Sequence, residues 1–414
     1  MNRKEILKKD FNRIVPNLKN KNILILQGPM GDFMNVMEEV LKENENEVFR
    51  LGLNYGDDWY VNKPGFFQGF YGLLPRVKYH KKNYKSYKGT IEGFSKFIIE
   101  FYNTYNIDIL FIFGDCRVYQ SKAIKKAKKM GIKVYVFEEG YIRPNYITLE
   151  EGGVNDYSKI PREMEFYEKL EDIDLEEPNK IDGSFKRAMW YAIKYYTLSY
   201  LGHYKYQNYV HHRNFSPFLE AWYGIKNWIK IKLNRIEENW LNKEIVYNLR
   251  KNYFLVPLQT YNDFQIIKHS KYNSIEEFII ELLESYKESG EKDYLIIKHH
   301  PMDRGRKDYR RHIKKYTKKI GIKKRIYVCF DIKLPRLIKN SKGVIVINST
   351  TGLQSIYHNI PTICLGKSLY NFEGLTNQME LSEFWFKQNQ PNKKLYKKYR
   401  NYLISKTQIN TSFY

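Results

Sequence analysis

From Ile107 to Gly140 the chain reads IDILFIFGDCRVYQSKAIKKAKKMGIKVYVFEEG. The run Ile107 to Phe113 has the apolar character of a buried strand, and Gly114-Asp115 ends it. The basic stretch Ser121 to Lys129 follows as a helix, which Gly131 closes. A second apolar run, Lys133 to Phe137, comes next, with Glu138-Glu139-Gly140 just beyond its end. Strand, helix and strand in this order make the repeating unit of a parallel sheet with helices on both faces. Such strands are buried on both sides, so neither run alternates apolar with polar residues.

The unit recurs in both directions. Upstream, Asn22 to Leu26 (NILIL) is a strand, and Gln27-Gly28-Pro29-Met30-Gly31-Asp32 is a turn. The stretch Phe33 to Leu41 has helical spacing, with Phe33, Val36, Met37, Val40 and Leu41 on one face. Glu47 to Leu53 reads as a further strand and Ile91 to Tyr102 as an amphipathic helix. Downstream, strands are expected at Tyr253 to Leu258, Tyr294 to Lys298, Gly343 to Ile347 and Pro361 to Leu365. Helices are expected from Ser274 to Ser285, capped by Ser274 with Glu277 three residues on, at Leu334 to Asn340, and from about Leu353. Between the halves, Glu163 to Asp182 is acidic, a helix and then a linker. Phe185 to Trp240 is rich in aromatics and reads as two or three helices.

The expected organisation is therefore α/β, with two halves around a helical bridge and a cleft between them. The first domain takes residues 1–180 and the bridge 181–248, a candidate membrane-facing segment. The second domain takes 249–390, and a helix with a polar tail takes 391–414. Within the bridge, Met189, Ile193, Tyr196 and Tyr200 recur near helical spacing beside Lys186, Arg187 and Lys194. That face suits either an anionic bilayer or packing against the two domains.

Composition narrows the function classes. The 414 residues hold 70 Lys+Arg against 46 Asp+Glu, a net charge of +24. Nucleic acid, an anionic membrane and phosphorylated substrates all fit such a charge. Lys and Arg are scattered through both halves without an RRM, KH or helix-turn-helix signature, which argues against nucleic acid. No run approaches the ~18–20 apolar residues of a membrane span. Met1 to Asp10 is charged, without the apolar core of a signal peptide, so a cytoplasmic protein is expected. Cys116, Cys329 and Cys364 are far apart, which disfavours disulfides and zinc knuckles.

Ligands of open α/β sheets bind beyond the carboxyl ends of the strands. Asn348-Ser349-Thr350-Thr351-Gly352 leaves one strand and opens a helix, where hydroxyls and N–H groups suit a phosphate or serve as ordinary caps. No Walker A pattern occurs, so a monophosphate or a nucleotide α-phosphate fits better than a triphosphate. Lys298-His299-His300-Pro301 ends another strand, and a histidine there can donate to a phosphate or a sugar hydroxyl. A metal set is not formed by adjacent histidines without a carboxylate. Glu138 and Glu139 adjoin, and their repulsion would raise one pKa and supply a base or nucleophile. Gly140 would let the backbone turn close to a substrate, and Arg143 would pair with a substrate carboxylate or phosphate. Gln27-Gly28, Asn54 with Asp57, and Asp115 with Arg117 are further polar strand ends.

These motifs together resemble the capsule polysaccharide synthesis/export family, in its KpsS (LipB-like) branch. The resemblance is carried by Gln27-Gly28-Pro29, Asn54-Tyr55-Gly56-Asp57, Gly114-Asp115-Cys116-Arg117 and Phe137-Glu138-Glu139-Gly140-Tyr141-Ile142-Arg143-Pro144. It continues through Ile147-Thr148-Leu149-Glu150, Gly152-Gly153-Val154-Asn155, Pro257-Leu258-Gln259, Asp263, Gln265, His269-Ser270, His300-Pro301 and Asn348-Ser349-Thr350. The resemblance implies a GT-B fold of two Rossmann-like domains and a retaining β-Kdo glycosyltransferase. The donor would be CMP-β-Kdo and the acceptor a phosphatidylglycerol-type lipid, with no metal or other cofactor.

By the same resemblance, which extends to bacterial sialyltransferases, Ser349 and Thr350 hold the CMP phosphate, with Thr351, Asn348, His299, Lys298 and Gln259 around them. His300 contacts the phosphate or cytidine. Gln27, Gly28, Asn54, Asp57, Asp115, Arg117 and Arg143 face the acceptor or sugar. Glu139 takes the second acidic position, often Asp in related β-Kdo transferases. Its nucleophilic role, a general-base role, and Glu138 as the active carboxylate are the alternatives. The implied partners are the CMP-sugar, an anionic phospholipid, the inner face of the cytoplasmic membrane and other capsule assembly proteins. Rival readings are a transferase for another CMP-keto-sugar such as CMP-sialic acid, and a non-catalytic export component that binds the lipid-linked glycan.

Overall fold

The computed structural model describes residues 3–62, 83–181, 185–211, 216–290, 292–322 and 325–414. Met1 and Asp182, which bound two of the stretches named above, lie outside the described residues. The strands are β1 Asn22–Leu26, β2 Glu47–Gly52, β3 Tyr84–Ser86, β4 Ile109–Phe113, β5 Lys133–Glu139 and β6 Ile147–Glu151. Then come β7 Tyr253–Pro257, β8 Tyr294–Lys298, β9 Ile326–Cys329, β10 Gly343–Val346, β11 Thr362–Cys364 and β12 Gln408–Ile409. The chain divides into two compact units. One holds residues 1–159, 174–217 and 402–414, the other 160–173 and 218–401.

The sheet of the first unit runs β12-β6-β5-β4-β1-β2-β3. β1 pairs in parallel with both β2 and β4, and β4 with β5, whereas β6 and β12 join antiparallel. Alternation along NILIL sends Ile23 and Ile25 to one face and Leu24 and Leu26 to the other. The first pair packs with Phe33, Met37, Phe111 and Phe137, the second with Ile98, Ile112 and Val136. Burial on both faces makes β1 a central strand, as its apolar run requires.

The second sheet is all parallel, in the order β11-β10-β7-β8-β9. One face packs Val256, Ile297 and Ile345 against Phe278, Leu282 and Leu283 of the helix Ile275–Ser289. That helix starts as its sequence requires: the Ser274 side chain accepts from the Glu277 N–H at 3.2 Å. Two α/β halves, each a sheet with a parallel core, are therefore present, as expected.

Several elements differ from expectation. The bridge is not one segment: the helix Phe185–Leu201 groups with the first unit and Pro217–Tyr247 with the second. The polar tail expected after the last helix packs into the first unit. Gln408 and Ile409 form β12 on β6, and the Phe413 ring meets Phe33 and Phe113 edge-on at 5.0 and 5.2 Å. The helices Arg3–Ile14 and Tyr55–Asn62 and the strands β6 and β9 were not expected. Each carries few buried apolar residues, or is short.

Candidate active site

Each sheet has one place where the chain reverses its direction of growth. In the first, β1 leads outward to β2 and β3, and the chain returns to β4 on the other side of β1. In the second, β7 leads to β8 and β9, then returns to β10 beside β7. The connections diverge at these points and leave a crevice at the carboxyl ends of the strands. The predicted polar clusters flank both crevices.

In the first unit, Gln27 and Gly28 leave β1, while Asp115 and Arg117 leave β4. Gln27 is buried, and its Oε1 accepts from the Arg50 guanidinium, Nε at 3.1 Å. Arg50 is itself buried and pairs with the buried Glu38 at 2.8 Å. A buried charge pair is costly to break from one side, so this anchor holds Gln27 in one orientation. Asn54 and Asp57 belong to the first turn of the helix Tyr55–Asn62 and what precedes it. The Asp57 carboxylate accepts from the Leu53 N–H at 2.8 Å and from the Tyr195 hydroxyl at 2.9 Å. Asn54 Nδ2 donates to the same hydroxyl at 2.7 Å. Burial pushes the Asp57 carboxyl up to about 7. Gln27, Asn54, Asp57, Arg117, Tyr195 and Tyr209 line one pocket.

At the end of β5 the two acidic residues part company. Successive residues of a strand point to opposite faces. Glu138 shares the face of Val136, beside Arg117 and Asp115, and its Oε1 accepts from the Glu139 N–H at 3.0 Å. Glu139 shares the face of Phe137, and its Oε1 accepts from the Tyr414 hydroxyl at 3.4 Å. The Glu138 carboxyl is pushed up to about 7, chiefly by burial. The charges of Glu139 and Asp115 add to this, and Arg117 opposes it. Mutual repulsion is thus a secondary cause, not the main one expected from adjacency.

Three other expectations change here. A Cβ on Gly140 would lie 1.9 Å from the Tyr146 carbonyl oxygen, so the glycine serves the β5–β6 turn. Arg143 Nε folds back on the Gly140 carbonyl at 3.2 Å. Asp115 accepts from the Val154 N–H at 3.0 Å and so anchors the loop after β6.

In the second unit, Gln259 follows β7 and Asn348 follows β10. Gln259 Nε2 donates to Asn348 Oδ1 at 3.0 Å, and Asn348 Nδ2 donates to the Gln265 carbonyl at 2.8 Å. Both amides therefore brace the crevice. Ser349, Thr350 and Thr351 stand half-buried at its edge, with Ser349 Oγ 3.1 Å from Thr351 Oγ1. The Tyr370 hydroxyl donates to the Ser349 carbonyl. His300 is half-buried, and its Nδ1 accepts from the Met302 N–H at 3.3 Å, so a neutral ring carries its proton on Nε2.

The expected ligand roles of His299 and Lys298 do not fit their surroundings. The His299 ring is fully buried, 4.6 Å from the Phe330 ring, with Nδ1 on the His300 carbonyl and Nε2 accepting from the Tyr309 N–H. Burial pulls its pKa down to about 4, which keeps it neutral. Lys298 Nζ is spent on the Phe330 carbonyl at 2.6 Å.

Residues missed by sequence reasoning are Tyr195, Arg50, Glu38 and Tyr370. Nothing local marks Tyr195, which lies 138 positions from Asp57. Among the described residues no three His, Cys, Asp or Glu side chains group to hold a metal ion, and no helix is long and apolar enough to cross a membrane.

Comparison with known proteins adds the family. A family model described as capsule polysaccharide biosynthesis protein matches residues 108–414. The capsule polysaccharide export protein KpsS of Escherichia coli is 35% identical over 404 residues, 97% of this chain and 99% of that protein. The capsule polysaccharide modification protein LipB of Neisseria meningitidis serogroup B is 35% identical over 413 residues, 96% of this chain and 94% of that protein. Among solved structures, KpsC of Thermosulfurimonas dismutans, a beta Kdo 2,7 transferase, aligns at 15% identity with a TM-score of 0.38. The alignment covers 83% of this chain and 87% of that one. Matched along nearly its whole length, the chain belongs to the capsule polysaccharide biosynthesis family.

Proposed function

We propose that the chain is a retaining β-Kdo glycosyltransferase. It moves Kdo from CMP-β-Kdo to a phosphatidylglycerol-type lipid and so begins the linker of a capsule polysaccharide. The observation that supports this best is the cluster of Glu138, Arg117 and Asp115 at the carboxyl ends of β4 and β5, in a chain of the capsule family. An acidic keto-sugar brings a carboxylate, for which Arg117 is a fitting partner. Gln27, Asn54 and Asp57, held by Arg50 and Tyr195, shape the pocket wall on the sugar side. In the second unit, Ser349, Thr350 and Thr351 take the CMP phosphate, braced by Gln259 and Asn348, and His300 donates to it from Nε2.

CMP is already a good leaving group, so the reading uses neither a strong general acid nor a metal. A Glu139 carboxylate oxygen attacks the anomeric carbon, and the bond to the CMP phosphate breaks with its electron pair leaving on CMP. The lipid hydroxyl then attacks the same carbon, the Glu139 ester bond breaks, and the hydroxyl proton passes to a base. Two inversions retain the configuration. A second assignment, Glu138 as the active carboxylate, is favoured by its place beside Arg117 and by a proton affinity near neutrality. The lipid acceptor makes the inner membrane surface, and with it other capsule assembly proteins, the expected company of this enzyme.

The test is incubation with CMP-Kdo and a soluble lysophosphatidylglycerol analogue, read by mass spectrometry. A Kdo-lipid and free CMP are expected, and Glu139→Gln should slow transfer by about 1,000-fold or more. Near wild-type transfer by Glu139→Gln, with loss in Glu138→Gln, moves the role to Glu138. Product from CMP-sialic acid alone replaces the donor. No CMP release with any donor and lipid leaves a non-catalytic export component.

A further inference from the structure

The helix Pro217–Tyr247 is built inside out. Its packed stripe in the second unit is polar for most of its length. Glu220 pairs with Arg306, and Lys230 pairs with Asp308 at 2.9 Å. Asn227 and Asn234 accept from Arg304 and Arg310 at 3.1 and 3.0 Å. Glu238 accepts three backbone N–H groups, from Phe330, Asp331 and Ile332. The loop before the helix Arg310–Ile320 comes so near that a Cβ on Gly305 would lie 2.3 Å from the Tyr223 carbonyl oxygen. Only towards its end, at Leu241 and Ile245, does this stripe bury apolar side chains.

The outward face is the apolar one. Trp222, Ile225, Ile229, Leu233, Ile236 and Trp240 follow one another at spacings of three and four, and all are exposed. Leu233 and Ile236 are 72% and 84% exposed. An ordinary surface helix does the opposite and turns its apolar stripe to the core. A row this long on the solvent side needs another apolar environment.

Its borders say which one. Lys226, Lys232 and Lys243 flank the row, all of them exposed, and the neighbouring acid Glu237 is engaged by Arg310 at 3.5 Å. Lys226 Nζ lies 5.3 Å from the Trp222 ring centre, and Lys232 Nζ lies 4.6 Å from that of Trp228. Indoles bordered by cations suit the headgroup layer of an anionic bilayer. A second copy of this chain would bring the same cations against them. We infer that the helix Pro217–Tyr247 docks in the plane of an anionic phospholipid surface, with Trp222, Ile229, Leu233 and Ile236 in the acyl boundary and the lysines among the headgroups. The helix lies on the bilayer and does not cross it. The geometry stands alone, but its purpose, holding the enzyme where a lipid acceptor resides, rests on the function proposed above.

The experiment is flotation of the full chain with vesicles of phosphatidylcholine alone or of equal parts phosphatidylcholine and phosphatidylglycerol. Binding to the anionic vesicles is expected, with a blue shift of tryptophan emission and loss of binding at high salt. The Lys226→Gln/Lys232→Gln variant should bind them roughly 30-fold more weakly, from the contribution of two cations near the surface. The Leu233→Glu/Ile236→Glu variant should stay in solution, and its circular dichroism should match wild type because both side chains are exposed. Failure of the wild type to float, or equal flotation of the glutamate variant, overturns the inference. So does a wild-type dimer in sedimentation that the glutamate variant converts to monomer. Transfer to the soluble acceptor is assayed in parallel. Flotation without transfer sinks the proposed enzyme and leaves the docking surface, and transfer without flotation does the reverse.

Discussion

Asp57 holds its proton for a physical reason that can be measured. It is almost wholly buried, and its carboxyl is pushed from the ordinary 3.8 up to about 7. The folded chain therefore binds this proton more tightly than the unfolded chain does. The resulting stabilisation is complete below about pH 4 and is lost as the pH rises through about 7. Glu138 acts in the same direction over the same window. Asp57→Asn carries no such proton, so the wild type should lose stability relative to this variant between about pH 4 and 7, with little further change above that. Urea unfolding midpoints across that range check it, and parallel curves for the two proteins would contradict the burial argument. At this scale the sequence was partly legible. It marked Gln27, Asn54, Asp57 and Arg117 as polar strand ends, and the first unit draws all of them into one pocket. It misplaced His299, because a histidine buried against Phe330 and Tyr309 reads the same in sequence as one facing a ligand. It could not separate Glu138 from Glu139 either, since the two differ only in which face of β5 each one takes.

At the scale of elements, apolar runs were the reliable signal. NILIL, YFLVPL, YLIIK and GVIVI all became β1, β7, β8 and β10. β9 escaped because IYVC is short and only its last residue is buried. The helix Arg3–Ile14 escaped because Ile6, Leu7 and Phe11 stand among charged neighbours. The β5–β6 turn shows how an element limits the site. Gly140 sits where a methyl group would meet the Tyr146 carbonyl oxygen at 1.9 Å, and backbone cannot yield as a side chain can. Gly140→Ala should therefore push the ends of β5 and β6 apart. A loss of roughly 3 kcal/mol is expected, together with loss of transfer, since Glu138 and Glu139 close the same strand. Thermal melting and the transfer assay check both, and an unchanged melting curve would show that the turn relaxes.

The whole molecule is assembled from stretches distant in sequence. The first unit needs Tyr195 to complete its pocket and residues after Tyr402 to complete its sheet. Sequence patterns name strands but not their order, so neither switch point was readable before the topology was known. The Phe413 ring fills the space between Phe33 and Phe113 and is almost fully buried. Phe413→Ala should cost about 3–5 kcal/mol through the cavity it leaves, read as a lower urea midpoint. A change within ~0.5 kcal/mol would mean that the site collapses to fill it. The charge of +24 also finds a distribution here. Part of it borders the outward face of the helix Pro217–Tyr247, and the rest is spread over other surfaces.

The placement of β12 has a further consequence. A sheet edge with unpaired N–H and carbonyl groups is a template on which another chain can add a strand. Among the described residues of the first unit, one edge ends in β3, only three residues long, and the other is covered by the two residues of β12 lying antiparallel on β6. Both borders are thus too short to nucleate strand addition between copies. Without Gln408 and Ile409 in place, the five residues of β6 would lie open on one side, and copies of the chain would tend to pair along that edge and aggregate.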